Sequence, residues 1–139
     1  MNTQILQPVV VLVLWSLVMM AWLYATRIPA MQAANVPLDP NLTPAELAAK
    51  VPPKVRWKAD NYNHLMEQPT IFYATALALA VAGAGDGLNA QLAWGYVGLR
   101  VVHSLVQATV NAIMVRFLIF MTSSIVLAVL AVRAAMTLF

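Results

Sequence analysis

Asp60, Asn61, Asn63, His64, Glu67 and Gln68 stand at the mouth of a run that continues almost entirely as hydrocarbon to residue 80. Arg100, His103, Gln107 and Asn111 interrupt a second apolar run. Side chains of these types hold charged, hydrogen-bonding ligands or exchange protons with them. On a continuous helix Asp60, His64 and Glu67, spaced four and three, share one face, and the four residues from Arg100 to Asn111, spaced three, four and four, share another. What the chain lacks narrows the chemistry. It has no cysteine, so disulfides, thiolate metal sites and a protein thiol nucleophile are excluded. No metal site is expected. Any sulfur chemistry must come from a ligand.

The solvent around these residues follows from composition. Only 9% of the 139 residues are charged and 62% are hydrophobic, against roughly a quarter charged in a soluble domain. With a mean hydropathy of +0.77, the apolar surface exceeds what one small core can bury, so the chain reads as a single integral membrane domain over residues 1–139. The net charge of +3 is not gathered into a basic patch interleaved with aromatics, so nucleic acid is not an expected partner. The first apolar run has no Lys or Arg before it and no cleavage pattern close behind it, and reads as a retained helix rather than a signal peptide.

Four segments approach the ~20 residues that cross ~30 Å of hydrocarbon: about 5–26, 57–82, 89–113 and 115–138. The expected fold is therefore an all-α four-transmembrane-helix bundle. The segment 27–56 is rich in proline and charge and reads as a cytoplasmic loop, within which Thr43, Pro44, Ala45 and Glu46 have the capping-box order that starts a short helix. Residues 83–89 form a glycine-rich turn. Basic residues fall at the first and third connections, which puts both termini on the non-cytoplasmic side, with Trp22, Tyr24 and Trp57 at the cytoplasmic interface. Ala74, Ala78 and Ala82, Ser124 with Ala128, and Ala131 with Ala135 repeat at the four-residue spacing that lets membrane helices approach closely.

At ~1.5 Å per residue Glu67 lies about 15 Å below Trp57, and Arg100 about 16 Å from the opposite end of its helix, so the two are expected to meet near mid-membrane. A charge held there costs about 2.5–3.5 kcal/mol on insertion scales, which pairing offsets. A pair that merely fixes helix register remains an alternative, but it does not require a stripe of further polar groups running to the cytoplasmic surface. That stripe points to a wet cleft for a charged ligand, with Arg116 at its mouth as an anion contact or as a snorkelling headgroup partner. Pro69 is expected to bend the second span at Glu67.

The sequences N-x-x-H-L-M-E-Q-P-T-I-F-Y over residues 61–73, L-R-V-V-H-S-L over 99–105, then Asn111 and V-R-F-L-I-F over 115–120 resemble the MAPEG superfamily, membrane-associated proteins in eicosanoid and glutathione metabolism, and in detail its small bacterial members. The resemblance implies a homotrimer of four-helix subunits in a bacterial inner membrane, with glutathione in clefts between subunits and a lipophilic small-molecule substrate arriving from the membrane lipids. It implies that Glu67, Arg100, Asn61, Asn63, His64, His103, Gln107 and Lys58 hold glutathione and that Arg116 stabilises its thiolate. The implied activity is a glutathione-dependent transferase or peroxidase, with a non-catalytic scaffold or accessory subunit as the alternative. This chain has Gln107 and Phe120 where well-studied members carry tyrosines.

Overall fold

The structure, a computed structural model, describes residues 3–139, so the first two residues of the expected 1–139 domain lie outside the described residues. The described chain is all-helical: α1 (Leu6–Ala33), α2 (Pro44–Ala48), α3 (Pro53–Leu65), α4 (Pro69–Val81), α5 (Gly87–Thr109) and α6 (Ile113–Leu138). The sequence sets the ends of these helices in recognisable ways. Thr43 accepts a bond from the Glu46 amide at 3.2 Å while Glu46 accepts from the Thr43 amide at 3.0 Å, the reciprocal cap that starts α2. Gly83, at φ 77°, closes α4, with Ala84 bonding back to the Leu79 carbonyl at 2.9 Å.

Helix limits differ from those expected in three places. α1 passes residue 26 and ends where Asn35 adopts φ 50° and Val36 bonds back to Met31. Pro29 lies inside α1, and Thr26 turns its hydroxyl back onto the Trp22 and Leu23 carbonyls. α5 ends at Thr109, not 113: Val110 and Asn111 both bond to the Val106 carbonyl, and Asn111 takes φ 53°. Asparagine tolerates this left-handed geometry better than other non-glycine residues, so Asn111 is a turn residue and not a member of the α5 stripe. The expected 57–82 span is two 13-residue helices. Between them Met66 and Glu67 bond three residues back, and Pro69, without an amide hydrogen, can only begin a new helix.

α5 packs against α6, α3 and α1. Its buried positions, including Ala93, Tyr96, Val97, Arg100, Ser104 and Ala108, recur at helical spacing. The Phe72 ring of α4 stacks on Tyr96 at 4.5 Å. The packed face of α4 carries Ala76 and Ala80, and that of α6 carries Ser123, Leu127, Leu130 and Ala134. The alanine stripes read from spacing lie elsewhere: Ala74, Ala82, Ala128, Ala131 and Ala135 are exposed on the protomer. Spacing alone gives a stripe but not which neighbour it faces.

α1 and α6 are long and apolar enough to cross a membrane, and only 28% and 17% of their most apolar windows are buried. A core helix of a soluble protein would be mostly buried, so these outward-facing Val, Leu and Ile side chains suit lipid. The Ile5 amide bonds to the Gly85 carbonyl, and Arg133 donates to Asn89, so the start of α1, the α4–α5 turn and the end of α6 gather at one end of the bundle. Lys58 donates to the Ala108 carbonyl and lies 4.9 Å over the Trp22 ring, tying α3 to the opposite end of α5.

Candidate functional site

Helical spacing on α5 brings Tyr96, Arg100 and His103 onto one inner face, and α3 and α6 close over it. Arg100 is fully buried. Its Nη2 lies 2.7 Å from His64 Nδ1 and 3.5 Å from the His64 carbonyl, and its guanidinium carbon is 5.7 Å from the centre of the Phe120 ring. A guanidinium only donates hydrogen bonds, so Nδ1 of His64 accepts and that imidazole is neutral, with its proton on Nε2. The His103 ring stacks on His64 at 4.9 Å and 16°, and Phe120 meets His64 edge-on at 5.1 Å. These rings line a cleft of about 170 Å³ completed by Arg116, Ile113 and Phe117.

Glu67 does not complete the pair expected of it. Among the described residues its exposed side chain makes no hydrogen bond or ion pair, and Arg100 bonds to no carboxylate. The cause is local: the shared face of Asp60, His64 and Glu67 required an unbroken helix, and the three-residue turn before Pro69 puts Glu67 outside α3. The break is itself clamped. Tyr96 donates to Gln68 Oε1 at 3.0 Å, Gln68 Nε2 donates to Ser124 Oγ at 2.9 Å, and Ser124 bonds to the Phe120 carbonyl.

The remaining candidates are dispersed. Asn61 is fully buried with both amide atoms unpartnered, and Gln107 is buried with its carbonyl oxygen unpartnered. Asn63 is exposed and lines a different cavity with Asp60, while Lys58 is engaged with backbone carbonyls and Trp22. The structure therefore brings His64, His103 and Arg116 to the wall of one cleft, with Arg100 buried behind His64, and leaves Glu67, Asn63 and Lys58 off that wall. Tyr96 is the residue that sequence reasoning misses, although it precedes Arg100 by four residues, the spacing that shares a helix face; Phe120 has the same spacing after Arg116.

The electrostatics favour an anion. Arg100 Nε and Nη1 and Arg116 Nε are buried without acceptors, as are the donors of Asn61, and a neutral imidazole is the nearest polar group to a buried positive charge. Buried donors without partners are rare because each costs about 1–3 kcal/mol. Carboxylates would satisfy them. Among models of known families, that described as the MAPEG family matches residues 5–136. No curated protein and no solved structure matches the chain.

Proposed function

The chain belongs to the MAPEG family, and on that premise we propose that it is a glutathione-dependent membrane transferase or peroxidase acting on lipophilic electrophiles, built as a homotrimer of four-span subunits. The observation that carries this reading is Arg100: a wholly buried guanidinium with two unpartnered nitrogens and, among the described residues, no carboxylate bonded to it, behind a cleft that holds a second arginine. One protomer's cleft, about 170 Å³, is smaller than a tripeptide needs, so in the proposed homotrimer glutathione extends from it onto a neighbouring subunit. The tripeptide's carboxylates match Arg116 on the cleft wall and Arg100 behind it, and its amides match the unpartnered atoms of the Asn61 and Gln107 carboxamides, whereas Glu67, the carboxylate expected for its amine, is exposed away from that wall.

Bound glutathione would supply a thiol, the nucleophile this cysteine-free chain lacks. Arg116 places positive charge at the cleft, which favours the thiolate form. Phe117 and Phe120 give the cleft apolar walls that keep water back. Ile113 and Phe117 are also exposed on the outer surface of α6, so an apolar molecule can approach from lipid. Four membrane crossings by each subunit are supported by the gathering of both chain ends with the α4–α5 turn, while the basic segment 50–58 leads into the other end. That asymmetry also supports termini on the non-cytoplasmic face.

The test uses purified oligomer, glutathione and 1-chloro-2,4-dinitrobenzene. Wild type is expected to turn over, and Arg116→Ala to lose about 100-fold in kcat/KM, the order seen when one charge-stabilising group is removed, while remaining folded by circular dichroism. Absence of both glutathione binding and turnover in the intact oligomer removes the proposal and leaves a non-catalytic scaffold.

A further inference from the structure

α3 separates two cavities. His64 lines the cleft described above, whereas Arg56, Asp60 and Asn63, at i, i+4 and i+7, line a second cavity of about 230 Å³. Arg27 of α1 closes it, and its walls are the small apolar side chains of Ala45, Ala48, Val51, Val55 and Ala59. Arg56 and Asp60 have the spacing of a surface ion pair, yet none of Arg27, Arg56 and Asp60 makes a side-chain hydrogen bond or ion pair in the described structure. Two guanidiniums and one carboxylate thus share a cavity without satisfying one another.

From this juxtaposition we infer that the cavity binds the headgroup of an aminophospholipid, with the phosphate held by Arg27 and Arg56 and the primary ammonium by Asp60. Two planar guanidinium forks from separate helices suit the non-bridging oxygens of one phosphodiester. Asp60 distinguishes the ligand from a simple anion, because a carboxylate beside two arginines repels a bare phosphate and attracts one that carries a cation. The volume is below that of a pocket for a drug-sized molecule, which suits a headgroup whose acyl chains remain in the bilayer. Depth agrees as well. Trp57 adjoins Arg56, and Trp22 and Tyr24 lie within about a turn and a half of Arg27, a grouping of aromatics that marks the membrane interface. The site is independent of the thiol chemistry proposed above.

Native mass spectrometry of the full-length, delipidated protein in detergent tests the assignment with phosphatidylethanolamine, phosphatidylcholine and phosphatidylglycerol carrying identical acyl chains. Wild type is expected to retain the ethanolamine lipid about tenfold better than the other two, as one charge-assisted hydrogen-bonded contact implies. Asp60→Asn, a near-isosteric change at an exposed position, is expected to erase that preference. Arg27→Gln and Arg56→Gln, on different helices, should each lower retention of all three lipids. Equal retention of the three lipids by wild type, or an unchanged preference in Asp60→Asn, would overturn the inference. So would displacement of the lipid by equimolar glycerophosphoethanolamine, which would make the ligand a soluble phosphate instead of a membrane lipid.

Discussion

Arg100 is the residue whose environment is hardest to explain as packing. A buried charge is normally matched by an opposite one, and here its contact is the lone pair of His64. If the guanidinium is kept for a ligand, the protein is less stable than it would be without it. Arg100→Met, similar in length and apolar, is expected to raise stability by about 1–4 kcal/mol, the range found when buried charges are replaced by well-packed apolar residues. Thermal unfolding of the two proteins in the same detergent measures this. A variant that unfolds at lower temperature would show that Arg100 is a structural member of the bundle. The identity of these residues was legible in the sequence, because charges in an apolar run have few reasons to be there. Their pairing was not. Asp60, His64 and Glu67 share a face only on an unbroken helix; Pro69 marks the break locally, but the direction in which the turn sends Glu67 is fixed by the distant partners Tyr96 and Ser124.

At the scale of elements, local chemistry was readable and long-range chemistry was not. The Thr43 to Glu46 capping box lies within four residues and forms α2 as its pattern implies. Pro69 marked a bend, but the Gln68 clamp that fixes its direction joins Tyr96 and Ser124, residues distant in sequence. The α5–α6 connection has no glycine or proline, and its signal was Asn111, read as a polar ligand when its backbone role is to turn the chain at φ 53°. Asn111→Gly is accordingly expected to leave stability within a few tenths of a kcal/mol. Asn111→Val is expected to cost about 1–2 kcal/mol, because a β-branched side chain crowds the following carbonyl in this conformation. Denaturant midpoints of the two variants separate the backbone role from a ligand role, since a residue needed only as a ligand would leave both midpoints unchanged.

For the whole molecule, the arrangement of helices borders α3 with two separate cavities and gathers both chain ends with the α4–α5 turn. The absence of native cysteine makes the proposed orientation directly testable with single introduced thiols. In right-side-out vesicles Asp86→Cys is expected to react with a membrane-impermeant maleimide, and Lys50→Cys only after the membrane is opened; the reverse pattern would invert the topology. The central claim, that unpaired guanidiniums in a membrane cleft hold an anionic thiol peptide, is tested most directly by isothermal titration of glutathione into the purified oligomer, wild type beside Arg100→Met. Saturable binding to wild type, lost in a variant that remains folded and oligomeric, is the expected result. No heat of binding to wild type, or identical isotherms for the two proteins, would contradict it.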